Sequence, residues 1–250
     1  MPDATMEPGV VAPAVESAGG PVLVVGGRAS AGRLLDLARW AGADSDRLHV
    51  LVPGERTADH GPAAVQRMLD GEQGGAWALM SGRLLDAIAE TRATSVVVGY
   101  PADAEGRADF ALAVQRIRAE VDVDVIVYFE RHQRPWRRVL VPYLSATLDG
   151  IALRMAEQSR LDVTLLHAVE SMSSAEATVR PAMADHAGCT LRVVRTHDPL
   201  SAAADEARSG YDLVLIGGGQ GVLHGRPFTM RQQRLLLGTD LSLVVVYSAG

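Results

Sequence analysis

One order of strands and helices runs through this chain twice, and that duplication limits the folds open to it. A short apolar run at Val22 opens the order, and a second opens at Val139. A strand-like run ends at Gly99, and its counterpart ends at Gly217. The closing runs end at Tyr128 and Tyr247. The three landmarks repeat at offsets of 117, 118 and 119 residues. A βαβαβαβαβ unit copied once accounts for this. The spacing predicts strands over 22–25, 48–52, 76–80, 95–98 and 123–129, then over 138–141, 162–167, 190–194, 212–216 and 241–247. Helical periodicity falls over 30–41, 63–69, 82–91, 108–120, 147–158, 174–186, 199–208 and 229–237.

Continuous Val, Leu and Ile runs suit strands covered on both faces of a parallel sheet. Alternation with helices makes each sheet doubly wound through right-handed crossovers. The expectation is α/β: two tandem doubly wound parallel five-stranded sheets related by a pseudo-two-fold, with no antiparallel pairing inside a unit. The boundaries read 1–20 for a flexible leader, 21–130 for the first unit, 131–137 for a linker and 138–250 for the second unit. The chain has 250 residues, so each unit is long enough to bury a core of its own.

Composition removes several classes of function. With one cysteine, Cys189, the chain has no intramolecular disulfide framework. The net charge of −6 disfavours nucleic-acid binding through a basic face. All 24 basic residues are arginine, so Schiff-base and Walker-type lysine chemistry is excluded. No apolar run approaches the roughly 18–20 residues of a membrane span, and residues 1–20 do not read as a signal peptide.

Ligands of doubly wound sheets sit at the carboxyl ends of strands where the order reverses. There the second unit carries Gly217-Gly218-Gly219-Gln220-Gly221, with Arg226 and Arg231 downstream. Glycines let backbone amides approach a phosphate, and arginines pair with its charge. The plainer reading is a sharp exit from the sheet.

Two such units with a glycine loop after the fourth strand and a Leu-Val-Val-Val-Tyr closing strand resemble tandem universal stress protein (UspA-like) domains, over residues 21–248. That resemblance implies an adenine-nucleotide alpha hydrolase-like, Rossmann-like fold. It also implies a Gly-x2-Gly-x9-Gly-Ser/Thr loop and an acidic residue after the first strand. Gly218-Gly219-Gln220-Gly221 supplies Gly-x2-Gly, but Arg231-Gln232 stands where Gly-Ser/Thr is expected. The strand at Val139 runs into Pro142-Tyr143 with no aspartate. The stretch 137–143, the loop 217–225 and the segment 235–247 are similar to the cytosolic tails of bacterial cation/proton antiporters.

The resemblance implies a non-enzymatic cytoplasmic regulatory module, with a membrane transporter as partner and a homodimer as a further option. The alternative is a free-standing stress protein weakly binding an adenine nucleotide (ATP or AMP) or a cyclic dinucleotide. Any nucleotide would bind once per chain, at Tyr143, Gly217, Gly218, Gly219, Gly221, Arg226 and Arg231. No catalytic constellation and no full set of metal ligands stands out. Asp103, Glu105 and Asp109 read as a solvated loop and helix start. The joint carries Arg131, Arg134, Arg137 and Arg138 around Trp136. It reads as an interface whose arginines pair locally, with an anionic membrane surface as the sharper option.

Overall fold

The computed structural model of the protein describes residues 20–25, 31–51, 59–60, 66, 80–101, 104–132, 134–143, 146–169, 188–218, 235 and 238–249. The first half contains β1 (Val22–Val25), α1 (Ala31–Trp40), a 3-10 turn (Ser45–Arg47), β2 (Leu48–Leu51) and β3 (Asp59–His60). It continues with α2 (Met80–Thr91), β4 (Ser95–Gly99), α3 (Ala104–Glu120) and β5 (Asp124–Phe129). The second half contains β6 (Arg138–Tyr143), α4 (Ala146–Gln158), β7 (Asp162–Val169), β8 (Thr190–Arg195), α5 (Pro199–Ala207), β9 (Leu213–Gly217) and β10 (Ser242–Tyr247). The expected leader and the expected helices over 63–69 and 174–186 fall almost wholly outside the described residues; Gln66 is helical. The expected strand over 76–80 also lies outside them, except that Met80 opens α2. Among the described residues, no helix is long and apolar enough to cross a membrane.

The strands form one ten-stranded sheet in the order β3-β2-β1-β4-β5-β10-β9-β6-β7-β8. This corrects the expectation of two separate five-stranded sheets. β5 and β10 pair antiparallel, from Leu243 opposite Phe129 to Tyr247 opposite Val125. The physical reason is edge chemistry: a closing strand left at an edge exposes a row of unpaired amides and carbonyls. Joining the two closing strands satisfies both rows. The two-residue β3 pairs antiparallel with β2, a second departure from the all-parallel expectation. All other neighbouring strands run parallel.

The register of the seam carries the symmetry. Val127 lies opposite Val245, 118 residues later, so the pseudo-two-fold passes through that pair, normal to the sheet. Helix faces follow the same spacing. Leu34, Leu35, Leu37 and Ala38 of α1 are buried, as are Ala152, Leu153, Met155 and Ala156 of α4, each 118 residues on. These two helices cover one face of the sheet, while α2, α3 and α5 cover the other.

The tyrosine landmark slips by one residue against this frame. At a spacing of 118 the counterpart of Tyr247 is Phe129, and that of Tyr128 is Val246. Successive strand residues face opposite sides, so one residue of slip changes the face. Tyr128 accordingly packs under α1 and α4, and Tyr247 packs on the α2–α3 side.

Helix ends repeat as well. Positive φ occurs at Gly42 (94°) and Arg160 (57°), and again at Arg92 (52°) and Gly210 (91°). Each pair is 118 residues apart, so one backbone turn is written once with glycine and once with arginine. After α1 the Ala43 amide donates to the Ala38 carbonyl (3.0 Å), and after α2 Ala93 donates to Ile88 (3.2 Å). That is the hydrogen bond of a left-handed helix stop, where glycine has no Cβ to strain. At the far edge, Arg192 of β8 pairs with buried Glu206 of α5 (2.9 Å), which also accepts the Tyr211 hydroxyl (3.2 Å). This ties the outermost strand to its covering helix.

The arginines at left-handed positions carry a cost that glycine avoids. Arg92→Gly and Arg160→Gly should each raise stability by roughly 0.5–1 kcal/mol after the larger unfolded-state entropy of glycine is offset. Urea denaturation of each variant checks this.

Candidate functional site

Order reverses between β1 and β4 in the first half, and between β6 and β9 in the second. The antiparallel seam sends the strand carboxyl ends of the two halves to opposite ends of the sheet. The two ligand-type edges are therefore remote from each other and cannot form one cleft.

In the first half, the chain leaves β4 at Tyr100, whose amide donates to the Tyr128 carbonyl (2.8 Å). In the second it leaves β9 at Gly218, whose amide donates to the Val246 carbonyl (2.6 Å). Both donor and acceptor are displaced by 118 residues, so these are one backbone feature with two side chains. The Tyr100 ring packs on Phe129 (4.7 Å between centroids) and edge-on to Phe110 (5.2 Å). Arg131 covers the Phe129 ring at 4.9 Å. An aromatic trio thus occupies the exit of β4, where the second half has glycine.

At Gly218 the reason for glycine is contact. A Cβ there would run into the ring of Tyr247, which is completely buried. The opposite side of this contact is supplied by the other half: the Arg118 guanidinium of α3 lies 4.8 Å from the Tyr247 ring. The Gly218 amide, expected to face a phosphate, donates here to the Val246 carbonyl. Gly217 ends β9 half-buried, opposite Val246. Gly219, Gly221, Arg226 and Arg231 lie outside the described residues.

Tyr143 ends β6 on the same edge, half-buried, beside His167 of β7. Their rings are 5.9 Å apart, and His167 Nδ1 lies 3.3 Å from the Tyr143 carbonyl oxygen. His167 is buried, a placement that no motif in the sequence marks. Its pairing with Tyr143 follows only from the β6–β7 register. Nearby, Asp124 accepts the Ala249 amide (2.8 Å). Burial raises the Asp124 pKa, opposed by that bond and by Arg154. The described edge thus offers an aromatic face, a histidine and arginines from two helices.

Burial pushes the Cys189 thiol up, away from thiolate reactivity. Glu105 falls in the first turn of α3 and Asp109 further along it, while Asp103 lies outside the described residues. Among the described residues, no three His, Cys, Asp or Glu side chains are grouped to hold a metal ion. The joint is stitched rather than loose. One Asp212 carboxylate oxygen accepts the amides of Arg137 (2.9 Å) and Arg138 (3.0 Å). Arg138 stacks on Tyr211 (4.6 Å) and reaches Asp162 (3.7 Å), and Trp136 is buried.

No family model matches the sequence, and no curated protein matches it. Solved structures do match its fold. The cytoplasmic domain of a prokaryotic cation chloride cotransporter aligns with a TM-score of 0.56 at 10% identity, over 92% of this chain and 95% of that one. A universal stress protein from Archaeoglobus fulgidus aligns with a TM-score of 0.50 at 10% identity, over 92% and 96%. The fold is therefore of universal stress protein type, and it is shared with a transporter's cytoplasmic domain.

Two outcomes follow from this geometry. Gly218→Ala should destabilise the chain by about 1–3 kcal/mol through overpacking against Tyr247. The loss should shrink in a Tyr247→Leu background, because contacting residues couple; a double-mutant cycle in urea measures it. Alkali should weaken the fold as well. Burial pushes the Tyr128 hydroxyl up to about 12 and raises that of Tyr247. A raised folded pKa leaves stability intact below pH about 10 and removes it as pH climbs toward 12. The loss is about 2–3 kcal/mol per group shifted by two units. Urea midpoints across that range should fall, and Tyr128→Phe should flatten the fall.

Proposed function

We propose that the chain is a non-enzymatic cytoplasmic regulatory module built from two tandem universal stress protein-like units, acting on a membrane transporter partner. The observation that carries this reading is the likeness in fold to a transporter's cytoplasmic domain, over nearly the whole of both chains. The described edges support it. At the first, Tyr100, Phe110 and Phe129 pack together where a phosphate loop would begin. At the second, the first loop glycine serves ring packing and its amide serves the sheet. A module of this kind shifts a partner's equilibrium through contacts that differ between the partner's states. The seam uses the edges of both closing strands within one chain, so a second copy would attach elsewhere.

A second reading is a free-standing stress protein weakly binding ATP, AMP or a cyclic dinucleotide. Tyr143 and Gly217 favour it, since both end strands at the switch point of the second half. Calorimetry and an ATPase assay on the full chain separate the readings. The regulatory reading expects no turnover of ATP and binding no tighter than weak, with Tyr143→Ala leaving stability nearly unchanged. Tight ATP binding abolished by Tyr143→Ala would favour the second reading. Hydrolysis well above background, removed by one substitution at either edge, would overturn both.

A further inference from the structure

Three buried side-chain atoms among the described residues have no hydrogen-bond partner in the protein: Tyr128 Oη, His132 Nδ1 and Trp136 Nε1. All three fall within nine residues, where β5 ends and the chain crosses to β6. A folded chain rarely leaves such groups unpaired, because burying a polar atom without a partner costs the full loss of its hydration. Two of them, Tyr128 and Trp136, are in ring contact, which marks a place rather than scattered defects.

Packing brings the place together. The Trp136 ring meets Tyr128 edge-on at 5.5 Å and Trp40 of α1 at 5.1 Å. Tyr128 and Trp136 are 1% and 6% exposed, so bulk water does not serve them. The Arg33 guanidinium lies 4.4 Å from the Trp136 ring centroid, donates to the Arg134 carbonyl (2.8 Å), which clamps the joint onto α1, and pairs at 3.9 Å with Asp36 of the same helix. Ser242 Oγ lies near the Tyr128 hydroxyl and acts on it, and it also accepts the Arg131 amide (3.2 Å). Arg33 and Glu130 are the charged groups that act on the Tyr128 hydroxyl.

Each member of the set can donate. An indole N–H and a guanidinium only donate. The buried phenol keeps its proton at neutral pH, and an imidazole nitrogen donates in one tautomer or when protonated. A guest that suits four donors is rich in acceptors and negative. The second half lacks the set: 118 residues on, Arg33 becomes Ile151 and Tyr128 becomes Val246.

We propose that Tyr128, His132, Trp136 and Arg33 form a binding site, present once per chain, for a small carboxylate- or phosphate-bearing anion where the joint docks on the first half. This site is separate from the strand-end edge of the second half and does not rest on the regulatory reading.

The test is indole N–H nuclear magnetic resonance on the full chain, which has three tryptophans. Trp136→Phe assigns the resonance. Inorganic phosphate and acetate are titrated separately, each against sodium chloride at matched ionic strength. The expected result is a saturable shift of the Trp136 signal with at least one probe and none with chloride. Response to phosphate alone identifies a phosphoryl guest, and response to acetate identifies a carboxylate. Tyr128→Phe and Arg33→Met, which keep most of the packing, should each weaken binding about tenfold or more. If Tyr128→Phe does not fold, Arg33→Met carries the comparison. No saturable shift with either probe, an equal shift with chloride, or affinity unchanged in the folded variants would overturn the proposal.

Discussion

The antiparallel pairing of β5 with β10 is the interaction on which the rest of the structure depends. Every residue of β10 is buried, as are Val125, Ile126, Val127 and Tyr128 of β5. The seam therefore lies at the centre of the sheet, covered on both faces, instead of between two finished domains. A seam of this kind fixes three things at once. It sets the two-fold at the Val127–Val245 pair. It gives α1 and α4 a common face on which to pack. It also sends the two sets of strand carboxyl ends in opposite directions.

Symmetry of the backbone does not extend to the side chains at those ends. The amide–carbonyl bond of Tyr100 to Tyr128 is reproduced by that of Gly218 to Val246. The first half fills the position beyond the strand with an aromatic ring, and the second leaves it empty of side chain so that Tyr247 can close over it. Each half also borrows from the other. Arg118 of the first half covers Tyr247 of the second, and Trp136 of the joint that leads into the second half is buried against Tyr128 and Trp40 of the first. The two halves share a backbone pattern, and different residues at a few positions give its two ends different chemistry.

That divergence bears on the regulatory reading. A module that shifts a partner's equilibrium needs distinguishable surfaces on a rigid frame, not a reaction centre. The buried ten-stranded sheet is the rigid element here. The joint is bonded to it through Asp212 and Arg33, so movement of the two halves about that joint would cost several hydrogen bonds at once.

Much of the fold was legible in the residues, because its determinants are local. Runs such as Val22–Val25 and Ser242–Tyr247 have no polar face, so they read as strands covered on both sides. The spacing of Leu34, Leu35, Leu37 and Ala38 announces a helix with one buried face. Repetition of these patterns marks two similar halves. What the sequence could not decide were contacts between distant segments. Two closed sheets and one shared sheet have the same strands, and only the unpaired edges of β5 and β10 choose between them. Aligning Tyr128 with Tyr247 was natural by residue type, yet pairing with period two places them on opposite faces. Glycine at 218 has a packing role that sequence does not show, because a loop glycine and a packing glycine are the same letter. Only the buried ring of Tyr247, 29 residues further on and one strand away, shows what the missing Cβ makes room for.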